Sequence, residues 1–155
     1  MNDDALLEVL RRFQEEDVQS VLVGGHAVRL NGFSRTTEDI DILLPSSLDN
    51  GRKVIRALNF LPSSQDLDPQ WFEVPADAPE NIRVADDLLI DLLFAANGET
   101  YESLQPHVRS LDIDGVRIRT LDIEGLLKTK TTYRDKDRID REALQRLRDQ
   151  LRRGS

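Results

Sequence analysis

The sequence of 155 residues contains no cysteine and only two histidines. The absence of cysteine excludes a disulfide framework and any metal site built on thiolates. Two histidines are too few for a typical zinc centre. Any metal ion bound by this chain is therefore expected to have oxygen ligands, which favours a hard cation such as Mg²⁺ or Mn²⁺.

The sequence also lacks a run of about 18 apolar residues, the length that crosses a membrane. Its N-terminus is acidic and then amphipathic, unlike a signal sequence. These features predict a cytoplasmic protein with no membrane partner. A chain of this length supports one hydrophobic core. We expect a single domain over residues 1–155, with a core to about residue 119 and a helical part from about residue 120.

The net charge of −8 is distributed unevenly along the chain. Residues 116–155 contain 12 lysines and arginines against 7 acidic residues, whereas residues 1–115 contain 9 against 22. The overall charge argues against a protein that coats nucleic acid with its whole surface. Ion pairs along helix surfaces explain the pattern in one interpretation. In the other, an acidic body holds metal ions and a basic C-terminal part binds phosphate.

Hydrophobic periodicity predicts a series of short strands and amphipathic helices. The predicted strands span residues 18–23, 39–44, 71–74, 82–84, 88–94, 111–113 and 116–119. The predicted helices span residues 4–16, 26–31, 101–107 and 138–152, with two more that start at a cap. One of these is capped by Ser46 or Ser47 and runs through Leu58. The other is capped by Thr120 and reaches about Tyr133. Trp71 and Phe72 are expected in the core, and His26 is expected to be structural.

The segment from Val21 to Leu44 contains the most informative pattern. An apolar strand meets the pair Gly24-Gly25, a short helix and a polar loop follow, and Asp39 and Asp41 then begin a second apolar strand. Side chains two positions apart on a strand share a face, so these two carboxylates can converge on one cation. Without a cation the two carboxylates would repel each other.

A third acid, Asp91, is the single charge in the apolar segment LLIDLLF. Burying it without a partner would be costly. Three carboxylates on neighbouring strands predict a site for two metal ions. An ion pair of Asp91 with Arg83 or Arg117 is the alternative explanation of this acid. For the glycine pair, the alternative is an ordinary strand-to-helix turn.

The Asp-x-Asp spacing alone is weak evidence in so acidic a chain. It recurs at Asp66/Asp68, Asp112/Asp114 and Asp135/Asp137, where solvated turns or helix faces explain it. Asp39 and Asp41 differ in their context. A glycine turn lies upstream, a basic and hydroxylated loop comes directly before them, and an apolar strand follows. This context favours a metal site over a solvated turn.

These ordered motifs resemble the nucleotidyltransferase superfamily that includes DNA polymerase β. Gly24-Gly25, Asp39-Ile40-Asp41 and Asp91 match its glycine turn, its Asp-x-Asp and its third acid. RTTEDIDIL at residues 35–43 and KTKTTYRDKDRID at residues 128–140 resemble a small bacterial branch. That branch contains abortive-infection toxin-like enzymes and is related to the aminoglycoside adenylyltransferases. The resemblance implies an α/β (α+β) fold, with a mixed β-sheet core flanked by helices and with C-terminal helices.

The resemblance also implies a role for each matching residue. Asp39 and Asp41 would bridge Mg²⁺ or Mn²⁺ ions to the triphosphate of an NTP. Asp91 would complete one metal site and would orient or deprotonate the acceptor hydroxyl. Many members of the family have Gly-Ser where this chain has Gly24-Gly25. This difference leaves open which nucleotide the chain would bind. The nucleotide-binding residues would be Gly24, Gly25, Arg35, Thr37, Lys128, Lys130, Arg134 and Lys136.

The expected function is transfer of a nucleoside monophosphate from an NTP to a hydroxyl of a protein, an RNA or a small molecule. Two alternatives remain open. The first is a catalytically silent relative that serves as the antitoxin-like partner in a toxin–antitoxin pair. The second is an aminoglycoside-type adenylyltransferase, whose cationic acceptors would suit the acidic body of the chain.

Overall fold

The computed structural model describes residues 4–31, 39–75, 80–129 and 135–153, with the backbone alone for residues 135–140 and 153. These residues form six strands and five α-helices. Short 3-10 helices occupy connections at Pro62–Asp66, Pro69–Phe72 and Gln105–His107. In chain order the main elements are α1 (Asp4–Glu15), β1 (Val21–Val23), α2 (Gly24–Leu30), β2 (Asp39–Leu43), α3 (Leu48–Ala57), β3 (Ile82–Ala85), β4 (Leu89–Leu93), β5 (Val108–Ile113), β6 (Val116–Leu121), α4 (Ile123–Lys128) and α5 (Asp135–Arg153).

The strands form one mixed sheet in the order β3-β4-β2-β1-β6-β5. Strand β2 runs antiparallel to β1 and parallel to β4, and β1 runs parallel to β6. The edge strands β3 and β5 are antiparallel to β4 and β6. Asp114 and Gly115 have φ values of 51° and 80°, as a tight hairpin turn between β5 and β6 requires. The predicted fold class, a mixed sheet with flanking helices, is confirmed.

Apolar layers cover both faces of the sheet. The even-numbered residues of β2 and β4, from Ile40 to Leu92, pack with α1 and α3 on one face. Leu43 and Leu93 point to the opposite face and pack with α2, α4 and α5. Because side chains alternate along a strand, the odd-numbered residues of β2 and β4 share the face that carries α2, α4 and α5. The three predicted acids occupy such odd-numbered positions.

Residues 71–74 do not form the predicted strand. The chain instead forms the 3-10 helix Pro69–Phe72. Proline at the first position suits a helix start, since its missing N–H would have no partner there. Asp68 caps this helix, because its Oδ1 accepts a hydrogen bond from the Gln70 N–H at 2.9 Å. Phe72 is 1% exposed, so its predicted place in the core is correct.

Thr120 does not cap α4, contrary to the prediction. It lies in β6, where its buried hydroxyl donates a hydrogen bond to the Leu22 carbonyl at 2.9 Å. Asp122 takes the capping role, since its Oδ1 accepts from the Gly125 N–H at 2.7 Å. The hydroxyl of Thr120 therefore joins β6 to β1, and the carboxylate of Asp122 caps α4.

Several element boundaries differ from the predictions by a few residues. Helix α2 starts at Gly24, so the glycine pair lies within its first turn, and residues 101–107 are helical only at Gln105–His107. Helix α4 ends at Lys128, and residues 130–133 of the predicted helix lie outside the described residues. Ser47, rather than Ser46, caps α3. His26 is buried in α2, in keeping with a structural role.

Two expectations concern the chain as a whole. None of the helices in the described ranges has the length and apolar character that a membrane span requires. Strand β6 extends to Leu121 and α4 begins two residues later, near the expected limit between the core and the helical part. The organisation as a single domain stays a prediction.

Asp86 connects the turn after β3 to the 3-10 helix Pro62–Asp66. Its Oδ2 accepts hydrogen bonds from the Ser63 hydroxyl at 2.6 Å and from the Ser63 N–H at 2.9 Å. These hydrogen bonds hold the pKa of the Asp86 carboxyl below its ordinary value. A carboxyl with a lowered pKa in the folded state stabilises the fold above its unfolded pKa, and this contribution is lost as pH falls through the folded pKa.

We therefore expect Asp86→Asn to lower the melting temperature at neutral pH, and the gap to the wild type to close in acid. Thermal melts followed by circular dichroism across the carboxyl titration range measure this. Asp87→Asn, at the exposed neighbouring position, is the control. A gap between Asp86→Asn and the wild type that stays constant with pH would contradict the assignment.

Candidate active site

Three carboxylates lie on one face of the sheet, Asp39 and Asp41 on β2 and Asp91 on β4. The parallel pairing of these strands places Asp41 opposite Asp91. Paired residues on adjacent strands point to the same side with backbones about 4.8 Å apart, and Asp39 lies about 7 Å from Asp41 along the strand. The strand register thus brings the three predicted acids to one patch, which we call the acid patch.

The helical layer leaves Asp39 and Asp91 partly exposed. Two residues further along the strands, Leu43 and Leu93 are covered by α2, α4 and α5. The side chains of Asp39 and Asp91, in contrast, are 38% and 23% exposed. Paired strands therefore position the acids, and two of their side chains are partly exposed to solvent.

Arg83 reaches from the edge strand β3 to two of the acids. It lies opposite Asp91 in the antiparallel pairing of β3 with β4. Its Nε is 3.6 Å from Asp91 Oδ1, and its Nη2 is 3.5 Å from Asp39 Oδ2. The guanidinium therefore offsets part of the repulsion within the acid patch. Of the two arginines considered as partners of Asp91, Arg83 makes the ion pair, whereas Arg117 lies on β6 opposite Asp112.

Gly24 lies directly against the carboxylate of Asp41. Its φ is +73°, a conformation that favours glycine. A Cβ atom at this position would lie 2.1 Å from Asp41 Oδ2, which is far inside van der Waals contact. The pairing of Val23 with Asp41 explains this proximity, because Gly24 follows Val23 directly. The glycine that was expected to approach a nucleotide therefore also makes room for a carboxylate of the acid patch.

The structure describes few of the predicted phosphate-binding residues. Arg35, Thr37, Lys130 and Arg134 lie outside the described residues. Lys136 lies in α5, in the part where the backbone alone is described. Lys128 is the exposed last residue of α4, and its carbonyl accepts a hydrogen bond from Asn97 Nδ2 at 2.8 Å. The roles of these residues in binding a nucleotide stay predictions.

The chemistry of the acid patch suits a hard cation. Its three carboxylates are the oxygen ligands that Mg²⁺ and Mn²⁺ favour, and the guanidinium of Arg83 shows that a positive charge fits beside them. Within the described residues, however, no three Asp, Glu or His side chains lie close enough together to hold a metal ion. The donor set therefore fits, while its present spacing does not enclose an ion.

A cleft of about 570 Å³ lies beside the acid patch and was not predicted from the sequence. Trp71 is 50% exposed there, so its expected place in the core is wrong. The cause is the 3-10 helix Pro69–Phe72, which buries Phe72 and turns the preceding residue outward. Arg83 belongs to both the cleft and the acid patch. The full lining is Gln70, Trp71, Glu73, Val74, Pro75, Glu80, Asn81, Ile82 and Arg83.

No family model matches the sequence, and no curated protein does. Solved structures do resemble it. A provisionally assigned nucleotidyltransferase from Thermotoga maritima is 18% identical in sequence, with a TM-score of 0.59. That alignment covers 96% of this chain and 91% of the Thermotoga protein.

The antibiotic-resistance factor ANT(2″)-Ia is similar in two structures. Its crystal structure in complex with adenylyl-2″-tobramycin is 15% identical, with a TM-score of 0.53, over 96% of this chain and 95% of that one. Its solution structure is 16% identical, with a TM-score of 0.53, over 97% of this chain and 93% of that one. At such identities the likeness establishes the fold, and the fold implied by the motifs is confirmed. The chain has the fold of these nucleotidyltransferases.

Proposed function

We propose that this chain is a metal-dependent nucleotidyltransferase, which transfers a nucleoside monophosphate from an NTP to an acceptor hydroxyl. The observation that carries the proposal is the pairing of β2 with β4, which puts Asp39, Asp41 and Asp91 on one patch of the sheet. The contact of Gly24 with Asp41 supports it, since the two motifs that suggested the activity meet in space. The fold shared with nucleotidyltransferases supports it as well.

In the proposed reaction the acceptor oxygen forms a bond to the α-phosphorus, and the bond to pyrophosphate breaks. Mg²⁺ or Mn²⁺ held by the three carboxylates would supply positive charge beside the attacking and leaving oxygens. Asp39 and Asp41 are proposed to fix the triphosphate end of the nucleotide on β2. Asp91 is proposed to orient the acceptor hydroxyl or to take its proton.

The remaining proposed contacts neutralise or cradle phosphate. Gly24 and Gly25 begin α2 next to the acid patch, so the backbone there can approach a phosphate closely. Lys128 ends α4, a helix on the same face of the sheet as the acids. Positive side chains near the triphosphate would lower the energy of the charged transition state. The other proposed contacts are Arg35, Thr37, Lys130, Arg134 and Lys136.

The cleft beside the acid patch is the proposed position of the acceptor, because Arg83 is common to both. Two observations support the aminoglycoside-type alternative. Glu73 and Glu80 line the cleft, and their negative charges suit a cationic acceptor. ANT(2″)-Ia, which has a similar fold, forms a complex with adenylyl-2″-tobramycin. A protein or RNA acceptor remains part of the proposal, and a silent antitoxin-like partner remains its alternative.

Transfer is tested by incubating the protein with each labelled NTP, Mg²⁺ and a cell lysate. We expect one NTP to give labelled product together with pyrophosphate, and EDTA to abolish both. Separating the products shows whether the label lies on protein, RNA or a small molecule. Tobramycin, offered as the only acceptor in a parallel reaction, tests the aminoglycoside alternative.

A thermal shift separates the enzyme from the silent partner. An enzyme of this kind binds NTP together with Mg²⁺, so the NTP should raise the melting temperature only when the metal is present. A binding partner that lacks the site shows no such metal dependence. Absence of both label and metal-dependent shift would contradict the proposed function.

A further inference from the structure

Arg83 contributes a positive charge that contacts two acids of the proposed metal site. Its nitrogens lie 3.5 Å from Asp39 Oδ2 and 3.6 Å from Asp91 Oδ1. These two oxygens belong to different strands, so one guanidinium spans β2 and β4 from its own strand β3. The guanidinium therefore lies across the acid patch and contacts two carboxylates.

The charges within the acid patch make this arginine a competitor of a metal ion. The guanidinium places positive charge beside Asp39 and Asp91, so the arginine offsets part of the field that attracts a cation. It also approaches oxygens that a metal ion would need as ligands. The two ion pairs are long, and the arginine side chain is 54% exposed, which makes them weak. A divalent ion can therefore displace them.

The spacing of the acids also indicates that Arg83 and a metal ion exclude each other. Among the described residues no three acidic or histidine side chains are close enough to enclose a metal ion, although the register brings the three acids to one patch. A guanidinium is larger than a Mg²⁺ ion, and a carboxylate that contacts it at 3.5 Å is farther out than a metal ligand at about 2.1 Å. The present arrangement fits the arginine and would have to close around an ion.

We propose that Arg83 is a resident counter-cation of the acid patch, which a divalent ion displaces from Asp39 and Asp91 when it binds. This inference rests on the proposed function. It makes Arg83 a positioning residue that draws Asp39 and Asp91 towards one guanidinium and sets a threshold for metal binding. Arg83 also lines the cleft with Trp71. When a metal ion displaces the guanidinium from the two acids, the positive charge within the proposed acceptor cleft changes position.

The first test is Mn²⁺ affinity, measured by calorimetry or by the EPR signal of free Mn²⁺ without nucleotide. Arg83→Gln removes the charge and keeps a polar side chain, and we expect the Kd for Mn²⁺ to fall about tenfold, as loss of two exposed ion pairs allows. Arg83→Lys should stay near the wild type, because the charge remains. If Arg83→Gln does not fold, Arg83→Met replaces it.

Arg117→Gln is the matched control. It removes the same charge from an exposed arginine on another strand of the sheet, opposite Asp112. Both variants change the net charge equally, so a general electrostatic effect would appear in both. Equal or weaker Mn²⁺ binding by Arg83→Gln than by Arg117→Gln would overturn the inference.

The second measurement uses Trp71, which is the one tryptophan of the chain. Since Arg83 and Trp71 line the same cleft, Mg²⁺ should change the fluorescence of the wild type and not that of Arg83→Gln. A shift of equal size in both proteins would overturn the displacement step.

Asp41→Asn distinguishes failure of the proposed function from failure of the inference about Arg83. If Asp41→Asn binds Mn²⁺ as the wild type does, the proposed function fails and the inference fails with it. If Asp41→Asn binds Mn²⁺ more weakly but Arg83→Gln matches the wild type, the inference alone fails.

Discussion

Asp41→Asn is expected to lower nucleotidyl transfer by about a thousandfold or more, the loss that accompanies about 4 kcal/mol of transition-state stabilisation. Asp41 lies opposite Asp91 in the sheet and against Gly24, so its carboxylate is at the centre of the acid patch. The amide removes one negative charge and keeps the shape of the side chain. The melting temperature without metal should therefore stay the same or rise, because repulsion among the acids decreases.

Release of pyrophosphate measures the transfer, and circular dichroism follows the melting temperature. Asp112→Asn is the control, since Asp112 is exposed on β5 and also belongs to an Asp-x-Asp pair. It should leave transfer unchanged. Transfer by Asp41→Asn within about tenfold of the wild type would mean that this carboxylate does not hold a catalytic metal ion.

Gly24→Ala is expected to combine a loss of stability with a loss of transfer. The added Cβ would lie 2.1 Å from Asp41 Oδ2, so Asp41 has to leave its place in the acid patch. The φ of +73° adds backbone strain of about 1 kcal/mol for a residue with a Cβ. We expect destabilisation of about 2–3 kcal/mol in denaturant melts and a fall in transfer of about a hundredfold.

Gly98→Ala separates these two effects. Its φ of +78° imposes the same kind of strain, and nothing lies within 4 Å of the Cβ it would carry. It should therefore lose about 1 kcal/mol of stability and keep its transfer activity. If both alanine variants lose equal stability and both remain active, the contact of Gly24 with Asp41 has no role in the site.

The acid patch was predictable because it depends on local patterns. Period-two alternation identifies β2 and β4 and assigns Asp39, Asp41 and Asp91 to the face opposite their buried isoleucines. Motif order then suggested that the two strands are neighbours. The fold followed from the same evidence, since a mixed sheet with flanking helices is what the resemblance implies and what the structure contains.

Other features required the pairing of distant segments. The position of Arg83 between two acids depends on β3 lying beside β4, and β4 beside β2. The contact of Gly24 with Asp41 depends on the antiparallel pairing of β1 with β2. Each depends on which strands lie side by side in the sheet, and a local pattern does not show this. From the sequence, Arg83 was one of two candidate partners.

Trp71 shows a different kind of failure. The segment WFEV has the composition of a strand, and aromatic residues are commonly buried. Pro69 and the cap from Asp68 favour a 3-10 turn instead, and in that turn Phe72 is buried while Trp71 faces the cleft. The flanking proline and aspartate contained the signal, and turn chemistry outweighed strand propensity.

The central claim is that Asp39, Asp41 and Asp91 bind divalent metal together with a nucleotide. The most direct test is anomalous diffraction from crystals grown with Mn²⁺ and a non-hydrolysable NTP analogue. The account predicts a manganese peak among the three carboxylates, with Mn–O distances of about 2.1–2.2 Å and with Arg83 withdrawn from Asp39 and Asp91. A crystal in which the nucleotide is bound, but manganese lies elsewhere and Arg83 still contacts both acids, would contradict it.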